Sequence, residues 1–149
     1  AEVTMLSSSP SKEADAKKLG AHKFALTSDN DVMASLVNSF DFILNTVSGN
    51  HDYNDYLGLL KKNGTMIVVG IPPVPSKVPA FNLIGKRRSI MGSLIGGIKE
   101  TQEMLDYCAE HNITSDVEVI DMQYINEAYE RMIKSDVKYR FVIDMASMK

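Results

Sequence analysis

The sequence has one cysteine, Cys108, little excess charge and no long apolar run. A single thiol makes no internal disulfide, so a reducing, cytoplasmic setting is the expectation. No stretch reaches the roughly 18–20 apolar residues of a membrane span, and the first residues lack a signal-peptide pattern. No membrane partner is expected. A net charge of −3 and the lack of a basic stripe argue against a nucleic-acid partner. The nearest thing to one, Lys86-Arg87-Arg88, reads as a solvated edge before a strand. No repeat or low-complexity tract occurs. Two Asn-x-Thr sequons, at Asn63 and Asn112, carry no meaning in a cytoplasmic protein. What is present is enough for a compact domain with a core: 149 residues, 44% of them hydrophobic.

The pattern along the chain alternates. Strands are expected at Val3–Ser7, Lys23–Leu26, Phe40–Val47, Thr65–Ile71, Ser89–Leu94, Val117–Ile120 and Tyr139–Met145. Helical composition fills the intervals: Ser11–Leu19 stopped by Gly20, Asp31–Val37, Tyr53–Lys62 stopped by Asn63-Gly64, Lys99–Glu110 and Ile125–Lys134. In the third helix Tyr56, Leu59 and Leu60 share a face, and in the fourth Met104, Leu105 and Cys108 point inward. Four of the five prolines lie within Pro72–Pro79, which must be an extended loop. This alternation predicts an α/β fold with a parallel sheet.

Two runs carry most of the functional information. Gly64-Thr65-Met66-Ile67-Val68-Val69-Gly70-Ile71 and Ser89-Ile90-Met91-Gly92-Ser93-Leu94-Ile95-Gly96-Gly97 are apolar and end at glycine. Buried parallel strands end this way where they open onto a ligand crevice, although glycine-ended strands occur in many α/β proteins. Near the start, Ser7-Ser8-Ser9-Pro10-Ser11-Lys12 offers hydroxyls and a lysine, with no carboxylate before Glu13. Such a turn suits a phosphate, or it simply caps the following helix.

Together the two glycine-ended runs resemble the nicotinamide-binding edge of the medium-chain, zinc-dependent alcohol dehydrogenases. The likeness is greatest to the cinnamyl-alcohol-dehydrogenase branch. It extends through Gly96–Ile113, Ile125–Met132 and Val137–Asp144, essentially the whole chain. The resemblance implies an incomplete Rossmann-type, doubly wound parallel sheet beginning at its second strand, followed by a helix-strand-helix-strand tail. It divides the chain into a partial NADP-binding domain, residues 1–97, and a tail, residues 98–149, equivalent to the end of the catalytic domain. In this family Ser7, Ser8, Ser9 and Lys12 match a serine-lysine run that takes the 2′-phosphate of NADP(H). Pro10 and Ser11 depart from the charged residues often found there. Thr46 and Val47, after Asn45, match the adenine-ribose side. Val69, Gly70 and Ile71 with Ser93, Leu94 and Ile95 resemble the pair of backbones that hold the carboxamide. Leu94 and Ile95 would also present an apolar wall to substrate. Arg140 stands where the family has an arginine on the pyrophosphate.

The resemblance implies hydride transfer between NADPH and a primary alcohol or aldehyde, with a small-molecule cofactor as partner. Members bind a catalytic zinc, which polarises the alcohol oxygen, and a structural zinc. This chain has neither the zinc-ligand segments nor the glycine fingerprint of the first strand, so no catalytic or metal residue is expected in it, nor turnover by the chain alone. Its ligand-type residues are Cys108, His22, His51 and His111, and the Cys108/His111 spacing reads as a core cysteine beside a helix-ending histidine. Without a first strand, the second and fourth strands would keep open inner edges; the expectation is that the chain pairs them in a homodimer, rearranges its strands, or stems from a truncated reading frame. The alternative is a non-catalytic assembly module. Methyltransferase-like and flavodoxin-like folds would require a glycine-rich first loop or a flavin phosphate loop, and the chain has neither.

Overall fold

The computed structural model describes residues 1–148 and divides into two units, Ala1–Ile95 and Gly96–Lys149, rather than one continuous core. Every strand ladder is parallel.

In the first unit, β1 (Thr4–Ser7) pairs with β2 (Lys23–Leu26), Leu6 facing Ala25. A 3-10 turn at Pro10–Lys12 and helix α1 (Glu13–Lys18) make the crossover. The helix ends at Gly20, whose φ of +98° is a left-handed stop that suits glycine. Helix α2 (Asn30–Ser35) starts at Asp29, whose carboxylate accepts from the Asp31 and Val32 N–H groups at 3.0 and 3.1 Å. A second, three-stranded sheet holds β3 (Phe40–Asn45), β4 (Leu60–Val68) and β5 (Ser89–Gly92) in that order.

Alternation along β3 sends Ile43 and Asn45 inward and Phe42 and Leu44 outward. The inward side meets helix α3 (Tyr53–Leu57) in a core of Ile43, Leu57, Leu59, Leu60 and Met66. Leu6, Met33, Val78, Leu83 and Ile90 pack around it. Leu57, Leu60 and Met66 are fully excluded from solvent, each contributing roughly 1.5–3 kcal/mol of burial. The outward side is open. Phe42, Leu44 and Met91 are 70%, 64% and 58% exposed.

Helix α3 is shorter than periodicity predicts. It stops at Leu57 because the next backbone groups are captured by the start of β3: Ser39 and Phe40 N–H donate to the Leu59 carbonyl at 2.8 and 3.1 Å. Leu59 and Leu60 are buried as expected, but from a strand. The β4 ladder then bulges, for Phe40 faces Leu60 while Phe42 already faces Thr65. Strands β4 and β5 end at Val68 and Gly92, short of the expected Ile71 and Leu94, because the chain turns out at the crevice described below. The proline-rich loop leads into a short helix, α4 (Phe81–Ile84), that the sequence reading lacks.

Arg88 corrects the reading of Lys86-Arg87-Arg88 as a solvated edge. Its guanidinium donates to the Leu60 carbonyl at 2.6 and 3.0 Å, the Gly58 carbonyl at 3.2 Å and Asn38 Oδ1 at 3.1 Å. Burial lowers its pKa. Lys86 donates to the same Asn38 oxygen.

Of the expected alternatives, closure of the inner edges by rearranged strands does not occur among the described residues, where β1 keeps only β2 as partner and β3 only β4.

The second unit contains α5 (Ile98–Glu110), β6 (Glu118–Asp121), α6 (Ile125–Ile133) and β7 (Phe141–Asp144), with β6 pairing β7. Glu100 reaches back to the Gly97 N–H at 2.8 Å and holds the start of α5. Arg131 joins the elements: it meets Glu118 at 2.8 Å and Asp136 at 3.0 Å and lies over the Phe141 ring. Hydrogen bonds to Asp136 and then Glu118 push its pKa above the ordinary arginine range. Met104 and Leu105 are not inward: they are 50% and 52% exposed, and α5 buries no residue completely. Ala128 is the one buried apolar residue of this unit among the described residues.

Candidate functional site

Where β4 and β5 end, the two strands part around a cleft of about 390 Å³. Val68, Val69, Gly70 and Ile71 form one side, with Gly92, Ser93 and Leu94 on the other. The Ser93 N–H donates to the Val68 carbonyl at 3.2 Å, which keeps the two sides in register just before they diverge. Ile71 and Leu94, 73% and 82% exposed, give the rim an apolar character.

The floor is set by the end of β3. The Asn45 carbonyl accepts from both Val69 N–H, at 3.0 Å, and Gly70 N–H, at 3.1 Å. Gly70 is buried against the backbone of Thr46 and Val47, and a Cβ on it would stand 2.4 Å from the Val47 carbonyl oxygen. Only a residue without a side chain lets these two loops approach so closely.

Five of the expected site residues, Val69, Gly70, Ile71, Ser93 and Leu94, therefore line one cleft, and Val47 abuts it. Thr46 is exposed beside Val47, and Ile95 follows Leu94 outside the lining. Ser7, Ser8, Ser9 and Lys12 lie at and just after the end of β1 and are not among the residues that line the cleft. Their hydroxyls do not cap a helix: neither the 3-10 turn nor α1 has a side-chain cap. Instead Ser7 Oγ accepts from the Ser9 N–H at 3.2 Å, and the Ser9 and Ser11 hydroxyls pair at 2.9 Å. Arg140 belongs to the second unit, where it is exposed and its carbonyl accepts from the Glu118 N–H at 2.9 Å.

No group of three or more His, Cys, Asp or Glu side chains is placed to hold a metal ion among the described residues. The candidate ligands have other work. His22 Nδ1 accepts from the Val3 N–H, and His111 stacks on Tyr107 with ring centroids 4.0 Å apart. Cys108 Sγ lies 3.7 Å from Met104 Sδ. The described residues do not fit a zinc centre.

Sequence reasoning missed the part played by Asn45 and His51. Asn45 is 6% exposed, and its Nδ2 lies 2.8 Å from His51 Nε2. A polar residue at an inward strand position, six residues before a histidine, is the signal that points to it.

Parallel strands joined by helices, with a cleft at glycine-bearing strand ends, define an α/β protein of the dinucleotide-binding type. The zinc-binding dehydrogenase family profile matches residues 1–110, and the chain belongs to that family. It is 54% identical over 149 residues to NADP-dependent alcohol dehydrogenase C 1 of Mycolicibacterium smegmatis, covering 100% of this chain and 43% of that protein. With an aldehyde reductase of Escherichia coli it shares 56% identity over 145 residues, 97% of this chain and 42% of the relative. Among solved structures, a cinnamyl alcohol dehydrogenase from Sorghum bicolor superposes with a TM-score of 0.90 at 42% identity, covering 99% of this chain and 42% of that one. A CAD from Helicobacter pylori complexed with NADP(H) gives 0.81 at 38% identity, covering 98% and 42%. The chain thus spans about 43% of the length of the curated relatives. No helix among the described residues is long and apolar enough to cross a membrane.

Proposed function

We propose that this chain is the NADP(H)-reading part and C-terminal tail of an alcohol dehydrogenase or aldehyde reductase acting on primary alcohols and aldehydes. On this reading residues 1–97 form the partial cofactor domain and residues 98–149 the tail of the catalytic domain. The observation that carries it is the cleft between Val69-Gly70-Ile71 and Ser93-Leu94, with the Gly70 backbone seated on Val47. The NADP(H) relatives support it.

The donor set suits the cofactor. Backbone N–H and carbonyl groups at a strand end can read a carboxamide, which both donates and accepts. Thr46 and Val47 would flank the adenine ribose, and Ile95 would extend the apolar wall toward substrate. Ser7, Ser8 and Ser9 would donate to a 2′-phosphate, and Lys12 would supply charge; no ion pair engages Lys12 among the described residues. Arg140 would supply a guanidinium fork to the pyrophosphate. When bound, the nicotinamide supplies the hydride; this chain's residues orient it. The chain alone is expected to show no turnover. One free cysteine suits a cytoplasmic setting.

A second reading, an assembly module, is favoured by one observation: the edges of β1 and β3, unpaired among the described residues, and the open face around Phe42 and Leu44. Both readings accommodate the expected homodimer. Titration of the chain with NADPH and separately NADH, with sedimentation on the same sample, separates them. NADPH binding at least tenfold tighter than NADH supports the cofactor reading; binding of neither by a folded dimer overturns it and leaves the module.

A further inference from the structure

The loop from Asn45 to His51 is closed by a chain of hydrogen bonds with only one self-consistent proton arrangement. Asn45 Oδ1 lies 3.1 Å from the Val47 N–H, which can only donate, so the amide oxygen must face it. The amide Nδ2 then faces His51 Nε2 at 2.8 Å and donates to it. Nε2 therefore accepts and carries no proton. On the other side of the ring Nδ1 lies 2.8 Å from the Gly49 carbonyl, which can only accept, so Nδ1 carries the proton. The direction runs without conflict from Val47 N–H through Asn45 and His51 to Gly49. The ring is wedged against Tyr53 and Tyr56, with centroids 5.1 and 5.8 Å away.

What this latch holds is the floor of the cleft. The Asn45 carbonyl takes the Val69 and Gly70 N–H groups, and Val47 supplies the carbonyl against which Gly70 is seated. Among the described residues, His51 makes its side-chain hydrogen bonds to Asn45 and Gly49 rather than to Val69 or Gly70. It acts through Asn45, whose nearly complete burial makes a lost partner costly.

We propose that His51, held as the neutral Nδ1–H tautomer, is a positioning residue that fixes the spacing between Thr46-Val47 and Val69-Gly70-Ile71 in the cofactor cleft. The consequence for cofactor rests on the function proposed above; the tautomer and the loop geometry do not.

The test has two readouts on the full 149-residue chain. Long-range ¹H–¹⁵N correlation of the imidazoles, with His51→Gln to assign the signal, is expected to show His51 protonated at Nδ1 alone. Protonation at Nε2, or an averaged mixture, overturns the proposal. Glutamine keeps an acceptor at the Nε2 position, so His51→Gln should leave the Val69 and Gly70 amide shifts and NADPH affinity within about threefold of wild type. His51→Ala should move both amide shifts and weaken NADPH by about tenfold, as expected for one buried hydrogen bond left unmade. Equal behaviour of the two variants sinks the positioning role. If His51→Ala does not fold, His51→Leu, which also lacks an acceptor at the Nε2 position, takes its place in the comparison with His51→Gln. If wild type binds no NADPH, the cofactor reading fails, while the amide shifts of Val69 and Gly70 still judge the latch.

Discussion

Gly70 is seated on Val47: an added Cβ would lie 2.4 Å from the Val47 carbonyl oxygen and 2.8 Å from the Thr46 carbonyl carbon. The obstructing atoms are all backbone of Thr46 and Val47, so no side-chain rotation relieves the clash. Gly70→Ala is expected to push the two loops apart and cost at least about 1–3 kcal/mol. Gly92, across the cleft, meets only the Val68 carbonyl at 3.9 Å, an ordinary contact. Gly92→Ala should therefore change stability by under about 0.5 kcal/mol. Urea unfolding of the two variants checks the contrast, and equal midpoints would refute it.

The elements that rest on local pattern were legible in the sequence, and those that rest on competition were not. Lys23–Leu26 is a strand with the bounds its composition predicts, and the amphipathic helices α5 and α6 fall within one residue of expectation at each end. The overlong α3 fails for an identifiable reason: Leu59 and Leu60 continue a helical stripe, but the start of β3 takes the Leu59 carbonyl. Nothing local to Tyr53–Lys62 announces that. The same holds for Arg88, whose partners Gly58 and Leu60 lie 30 and 28 residues away. In the cleft, the glycine-ended runs were readable as strands that end at a crevice. The hydrogen bonds from Asn45 to His51 depend on Asn45 occupying an inward position, a consequence of strand pairing.

The serine-lysine turn makes a prediction about discrimination rather than affinity alone. Lys12 is exposed and free of ion pairs among the described residues, so its removal should leave the fold intact. Lys12→Ala should weaken NADPH by about tenfold, the scale of one charge-assisted contact, and leave NADH unchanged. Ser7→Ala should do more, because Ser7 Oγ also accepts from the Ser9 N–H and shapes the turn. Parallel fluorescence titrations of the two cofactors measure it. Equal losses for NADPH and NADH would show that the turn does not read a 2′-phosphate.

Arg88 is expected to be a stability residue with no effect on cofactor selectivity. Its guanidinium serves the Gly58 and Leu60 carbonyls just where α3 gives way to β4. Arg88→Ala removes hydrogen bonds from a charged donor and should cost about 1.5–3 kcal/mol. Arg88→Lys should recover little, since an ammonium cannot reproduce the planar fork that spans two carbonyls and Asn38. Denaturant midpoints for the two variants test this; full rescue by lysine would mean that charge alone is at work.

The open side of the three-stranded sheet carries the last prediction. Phe42 on β3, paired with Thr65, and Leu44, paired with Ile67, stand on the face opposite the core, 70% and 64% exposed. Met91 extends the patch through its pairing with Ile67. Singly exposed apolar residues are ordinary, but adjacent ones on a sheet face, next to the unpaired edge of β3, form a surface that favours association. Sedimentation is expected to show a dimer that dissociates on dilution. Replacing Phe42 and Leu44 together by lysine should shift the equilibrium to monomer without altering the buried face, because Ile43 and Asn45 point the other way. A wild-type monomer at high concentration would eliminate self-association through this face. A dimer that persists in the double variant would instead move the contact to the strand edges, where backbone groups rather than side chains do the pairing.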